Sequence, residues 1–321
     1  MKRLMLLSTI SLAALFSNAK LVMPKPIQTG DSIAIISPAS CIDPSKVDSA
    51  VNVLRSWGLV PVVGKYALTA HGSYAGTVSQ RLSDLRWAFE NPNIKAIICT
   101  RGGYGSYEVL DLLPKGYFRR YPKWFIGYSD ITAIHMALAL DGVMSIHGHM
   151  CGHLSESGGT DYPSECLHKL LFGELPVHGC SYVKGNHFGE ASGILLGGNF
   201  ALVNDLNRTR IDPISKGKNI ILYLEDVGET IPRVKRMMYH LKMSGLLDRV
   251  KGLIFGEFTD YKPNSDYSSM EDMLIEVVKE YDIPIAFHFP LGHVDDNLPL
   301  VNGANVTLTV RESGTTLKFN K

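Results

Sequence analysis

The chain has 321 residues, 45% hydrophobic and 20% charged, with 32 Lys and Arg against 31 Asp and Glu and a formal net charge of +1. That length holds two domains with buried cores, and the composition is globular rather than disordered or collagenous. No basic cluster stands out along the chain, which argues against nucleic acid as a partner.

Lys2 and Arg3 precede an apolar run over 4–16, and Ser17-Asn18-Ala19 follows with small residues at the −3 and −1 positions. This is the pattern of a secretory signal peptide, residues 1–19, with cleavage expected after about Ala19. The apolar run is too short for a stable membrane span, and no cysteine follows it closely enough for lipid attachment. A mature, unanchored, periplasmic chain from Lys20 is expected. Five cysteines remain, Cys41, Cys99, Cys151, Cys166 and Cys180. Their number is odd and no pair has C-x-x-C spacing. Cys99 reads as a buried thiol, and a bridge among Cys151, Cys166 and Cys180 is left open.

From Gly30 onward strands and helices alternate. Residues 32–37 form an apolar strand ending at Pro38, and 44–57 an amphipathic helix stopped by Gly58. A strand at 59–63 precedes a helix at 79–89, with Arg81, Asp84 and Arg86 expected on its wet face. A third strand, 94–99, leads into Arg101-Gly102-Gly103-Tyr104-Gly105. A short helix to Leu113, a strand at 124–128, a helix to Leu140 and a strand at 143–146 complete the first unit. Such alternation predicts a parallel sheet covered on both faces, with functional residues at the carboxyl ends of its strands. Between 151 and 189 the periodicity fades into Gly, Ser, His and Pro with one short helix near 167–172, a linker signature. The domain reading is therefore 20–155, a linker at 156–189, and 190–321. The second unit offers strands at 193–196, 219–224, 253–255, 284–289, 305–310 and 316–319. Its helices are expected at 199–206, 232–243 and 270–281.

Three places in this frame carry chemistry. Ser129 stands on a sharp turn between the 124–128 strand and a helix, where its hydroxyl rises off the sheet edge beside helix N-terminal amides. Serine is also a favoured helix cap, and Ile131 occupies the place of the second glycine of a G-x-S-x-G elbow, so an ordinary α/β-hydrolase is disfavoured. Glu225 and Asp226 come off the end of an apolar strand, and His293 follows Gly292 in a loop. Together Ser129, Glu225 and His293 supply a nucleophile, an orienting acid and a base.

Gly127-Tyr128-Ser129-Asp130, Leu224-Glu225-Asp226, and Gly292-His293 with Leu298-Pro299 resemble the three signatures of the LD-carboxypeptidase family of serine peptidases. That family includes muramoyltetrapeptide carboxypeptidases and microcin C immunity peptidases. Gly30-Asp31, Arg101–Gly105 and Gly193–Gly198 with Asn199 match as well, so the resemblance covers nearly all of the chain after residue 19. It implies a catalytic triad of Ser129, Glu225 and His293, with oxyanion donors from the backbone N–H of Asp130 and of Gly103 in the 102–103 pair. Arg101, Gly102 and Tyr128 are the substrate-binding residues it suggests. The implied fold is a flavodoxin-like parallel-sheet N-terminal domain plus a mainly β C-terminal domain, commonly a homodimer, with no cofactor. The implied substrate is a murein peptide, cut between an L-centre residue and a terminal D-amino acid. Three features depart from the family pattern. Pro232 and Lys235 stand where a Tyr and an Asp are usual, export is unusual, and His149 replaces the proline that normally follows His-Gly.

That last replacement creates a rival constellation of His147, His149, Cys151 and His153. Strand alternation would set all four on one face, as in a zinc-dependent amidase. No familiar catalytic zinc spacing is present, so no metal is expected. Ser181–Lys184 and Ser215–Lys218 fit S-x-x-K but lack the companion S-D-N and K-T-G motifs of penicillin-binding enzymes. A muropeptide-binding protein with a dead triad is the remaining alternative.

Overall fold

The computed structural model describes residues 21–320, so the expected signal peptide lies outside the described residues. Strand β1 (Ser32–Ile36) is buried along most of its length and feeds α1 (Pro44–Ser56). Asp43 caps that helix by accepting from Ser45 N–H at 2.9 Å, and Val47, Ala50, Val53 and Leu54 recur at helical spacing on its buried face. Then come β2 (Val60–Val63), α2 (Val78–Glu90), β3 (Ile94–Cys99), α3 (Ser106–Asp111), β4 (Trp124–Gly127), α4 (Thr132–Leu140) and β5 (Ser145–His147). Thr77 and Gln80 close α2 with a reciprocal capping box. Two helices, α5 (Cys151–Ser157) and α6 (Tyr162–Leu171), follow.

The second half runs β6 (Val177–Cys180), β7 (Gly189–Asn199), α7 (Phe200–Leu206), β8 (Ile220–Val227), α8 (Ile231–Met243) and β9 (Val250–Thr259). It ends with α9 (Met270–Val278), β10 (Ile285–Ala286), β11 (Leu300–Asn302), β12 (Asn305–Arg311) and β13 (Gly314–Phe319).

Two sheets result. The first has the order β11-β5-β4-β3-β1-β2, parallel throughout except for β11, which pairs antiparallel with β5. Its order reverses between β1 and β3, so the loops leaving those strands diverge and open a crevice. The second sheet has the order β10-β9-β8-β7-β12-β13-β6, parallel from β10 to β7 and antiparallel beyond. This is the expected fold class, a flavodoxin-like parallel sheet with helices followed by a unit made mainly of strands. One continuous apolar layer joins the halves, with Phe89, Phe125 and Ile134 from the first and Phe200, Leu222 and Phe255 from the second. At the seam a Cβ on Gly198 would stand 2.5 Å from Thr132 Oγ1, so only glycine lets β7 approach α4 this closely.

Several expectations change on contact with the structure. Arg81 and Asp84 are 2% and 4% exposed rather than on the wet face of α2, where only Arg86 remains. Their side chains point under loops that periodicity cannot see. The stretch read as a linker holds α5, α6 and β6, and β6 joins the second sheet against β13. The strand through His147 ends there and α5 begins at Cys151, so the proposed alternation on one face does not occur. All five cysteines are free thiols. Among the described residues no helix is long and apolar enough to cross a membrane.

Candidate active site

Strand β4 is buried from Trp124 to Gly127 and delivers the chain to Ser129, whose backbone φ is 65°. A non-glycine residue held there is strained, which marks a conformation imposed by its surroundings. A single 3-10 turn, Ser129–Ile131, then leads into α4, and Ser129 caps no helix amide. Its Oγ instead lies 3.0 Å from His293 Nε2, while His293 Nδ1 lies 2.7 Å from Glu225 Oε2. An Nδ1–H donated to the carboxylate leaves Nε2 free to accept the serine proton, the tautomer a general base requires.

Glu225 sits within β8 with its side chain fully buried, and His293 retains 20% exposure. Burial works against charge on His293, but the adjacent Glu225 carboxylate outweighs it and the imidazole titrates above the ordinary histidine value. A Cβ on Gly292 would fall 2.9 Å from Glu225 Cβ, so the residue before the histidine has to be glycine for the pair to meet. The Tyr128 ring stands edge-on to the imidazole, 5.0 Å between centroids. Asp226, next to Glu225, accepts from Asn199 Nδ2 at 2.8 Å and Ala201 N–H at 2.9 Å. Burial and then the Glu225 charge push Asp226 up to about 6.

The glycine loop after β3 meets the serine from the other side. A Cβ on Gly102 would lie 2.7 Å from Ser129 Cβ, and one on Gly103, whose φ is 113°, only 2.1 Å from Ser40 Oγ. Ser40 Oγ in turn accepts from Tyr104 N–H at 3.2 Å. The Asp130 carboxylate accepts from Ser106 N–H at 2.9 Å, tying the exit of this loop to the serine turn. Arg101 is exposed and donates from Nη1 to Cys41 O at 3.4 Å. Residues 33–148 match the family model for the LD-carboxypeptidase N-terminal domain, and residues 192–308 that for the LD-carboxypeptidase C-terminal domain.

The chain belongs to the LD-carboxypeptidase family. It is accordingly a hydrolase. A probable murein peptide carboxypeptidase of Bacillus subtilis is 32% identical over 300 residues, spanning 90% of this chain and 92% of that protein. The murein tetrapeptide carboxypeptidase of Pseudomonas aeruginosa is 31% identical over 278 residues, covering 83% and 89% respectively. Among solved structures, muramoyltetrapeptide carboxypeptidase from Oxalobacter formigenes superposes with a TM-score of 0.82 at 26% identity, over 90% of this chain and 99% of that one. The microcin C7 self-immunity protein shares the fold at a TM-score of 0.82 and 22% identity, over 94% and 99% of the two chains.

Within this chain the histidine cluster makes other contacts. His147 Nε2 lies 3.1 Å from Asn297 Oδ1, which also accepts from Gly292 N–H at 2.9 Å, so Asn297 steadies the loop carrying His293. His149 stacks on His153 with centroids 4.1 Å apart, and His153 Nδ1 lies 3.4 Å from the Tyr128 hydroxyl. Cys151 is wholly buried, its thiol pushed up to about 12 by burial. Among the described residues no three His, Cys, Asp or Glu side chains gather at a spacing that would hold a metal ion. Sequence reasoning missed Ser40 and the inward turn of Arg81. Neither carries a local signal, since their partners lie tens of residues away.

Proposed function

We propose that this protein is an LD-carboxypeptidase that removes the terminal D-amino acid from murein tetrapeptides through an acyl-enzyme on Ser129. The observation that carries this reading is the unbroken hydrogen-bonded line from Ser129 through His293 to buried Glu225, assembled from both sheets. The names borne by the relatives at about a third identity supply the substrate class.

In this mechanism His293 Nε2 takes the Ser129 proton as Oγ bonds to the carbonyl carbon of the L-centre residue. The amides of Asp130 and Gly103 stabilise the oxyanion of the tetrahedral adduct. Its C–N bond then breaks, and His293 returns the proton to the departing D-amino acid. Water attacks the resulting ester, gives a proton to His293 and releases Ser129, which takes that proton back. Glu225 holds the imidazole and balances its positive charge in both halves. Arg101, Gly102 and Tyr128 line the substrate approach. Export to the periplasm, through the leader at 1–19, and a homodimeric assembly belong to the same proposal.

The decisive experiment is mass spectrometry of purified protein incubated with murein tetrapeptide and pentapeptide. Tetrapeptide should lose one D-Ala to give tripeptide. Pentapeptide should be a poor substrate, because its extra residue must fit beyond the D-Ala pocket and transition-state fit sets kcat/KM. D-Ala released mainly from pentapeptide, or a stable penicilloyl adduct on Ser129, would show the L,D assignment to be wrong.

A further inference from the structure

We infer that Arg81, buried beneath the glycine loop, is a positioning residue that aims the Gly103 amide at the oxyanion. This rests on the serine mechanism above and adds a residue that no part of it uses. Arg81 lies on α2, which carries no member of the triad, and its side chain is 1% exposed. From that position Nη1 donates to Pro38 O at 2.9 Å and to Gly105 O at 2.8 Å, while Nη2 pairs with Glu108. The guanidinium also stands 5.0 Å from the Tyr74 ring centroid. One cation thus grips the carbonyls of the two loops that diverge at the reversal of the first sheet.

Those loops are interlocked at the amide in question. Ser40 N–H donates to Gly102 O at 3.3 Å, Tyr104 N–H donates to Ser40 Oγ, and the Gly103 backbone rests against the Ser40 side chain. Pro38 and Gly105 are the outer ends of the two interlocked segments, 38–40 and 102–105. Fixing both ends from one planar group sets the direction of the peptide planes between them, Gly103 included. Gly105 is shaped for the contact, because a Cβ there would lie 2.2 Å from Arg81 Nη1.

Removing Arg81 alone takes the donor from Pro38 O, Gly105 O and Glu108, so a loss of stability is expected beside any loss of rate. Arg81→Met is therefore read per competent site, so that a loss of folded protein does not count as a loss of rate. Arg81→Lys keeps the charge but not the planar fork that reaches both carbonyls and Glu108. Both variants are compared with the unmodified chain, with competent sites counted by end-point fluorophosphonate labelling of a parallel sample, so that rates are expressed per site. Per site, kcat should fall ~10–100-fold, part of the ~10²–10³ that one oxyanion donor supplies, with KM little changed. A tripeptide aldehyde, which forms an oxyanion on Ser129, should lose affinity in parallel, while the product tripeptide binds as before.

Full per-site kcat and full aldehyde affinity in Arg81→Met would overturn the assignment. Should both Arg81 variants fail to fold, Glu108→Gln carries the test, because that side chain is 45% exposed and outside the core. It frees the guanidinium from its charged partner and should lower kcat several-fold at constant KM. An unchanged kcat there refutes the positioning role. A wild-type chain that takes no fluorophosphonate would instead strike at the serine mechanism, whatever the Arg81 variants do.

Discussion

Gly102→Ala tests the meeting of the glycine loop and the nucleophile in a single methyl group. The added Cβ would stand 2.7 Å from Ser129 Cβ, 3.0 Å from Ser129 Oγ and 3.3 Å from Tyr128 O, whereas ordinary contact begins at 3.4 Å. Either the loop or the serine must move by about 0.7 Å, the difference between those distances. Ser129 is already held at a positive φ and has little freedom to yield. A displacement of about 1 Å at a reacting group costs on the order of 10²-fold in rate, or about 2.7 kcal/mol of barrier. Because Gly102 is not at a positive φ, alanine adds no backbone strain of its own and the fold should survive. D-Ala release from tetrapeptide, followed with a coupled D-amino acid oxidase assay, should fall by about two orders of magnitude. The thermal midpoint should stay within a few degrees of the parent. Wild-type kcat in a folded Gly102→Ala protein would refute the placement of this loop against Ser129.

Ser129→Ala and His293→Ala should each lose up to ~10⁶ in kcat, and Glu225→Gln should lose less, as for an orienting acid. Full activity in purified Ser129→Ala ends the serine mechanism. The acid limb of kcat/KM should fall above pH 6.5, because the base must be neutral and Glu225 raises its titration above that ordinary value. Glu225→Gln should move the limb down, and a limb that stays in place would dissociate it from His293. Stability should fall in acid for a different reason. Burial lowers His135 to about 4 and His147 to about 3 from 6.5, so both bind protons more readily once the chain unfolds. Unfolding then takes up protons as pH falls from 6.5 to about 4, and each such proton costs the folded chain about 1.4 kcal/mol for every pH unit crossed. The thermal midpoint should therefore drop through that window. His135→Gln should shallow the drop, and an unchanged profile would contradict it.

The parts of the site legible in the sequence are those whose signal is local. Ser129 and Glu225 follow short apolar runs that read as buried strands, and Gly292 precedes His293 because a side chain there would collide with Glu225. The parts that stayed hidden depend on distant neighbours. Arg81 and Asp84 sit at polar positions of α2, yet Arg81 reaches Pro38 O and Asp84 accepts from Tyr66 N–H at 2.8 Å. What lies over that face is backbone from other loops, which no periodicity records. Strands β6 and β11, of four and three residues, are too short to show alternation, so their segments read as loops. The His147–His153 run failed for a related reason: alternation presumes a strand, and Gly148 to Met150 turn the chain into α5 instead.

The segment from β10 to β11 has one end stitched to each sheet, through Ile285–Ala286 against β9 and Leu300–Asn302 against β5. His293 rides on the strap between those two seams. A protein split at 173–176, ahead of β6, would therefore yield an N-terminal fragment whose β5 edge stays open and whose serine has no base. Adding the C-terminal fragment would fill that edge, rebuild the apolar layer shared by the two halves and bring the histidine back to the serine. On the proposed mechanism, complementation of the two pieces would restore hydrolysis only when the sheet closes, which is the logic of a split reporter.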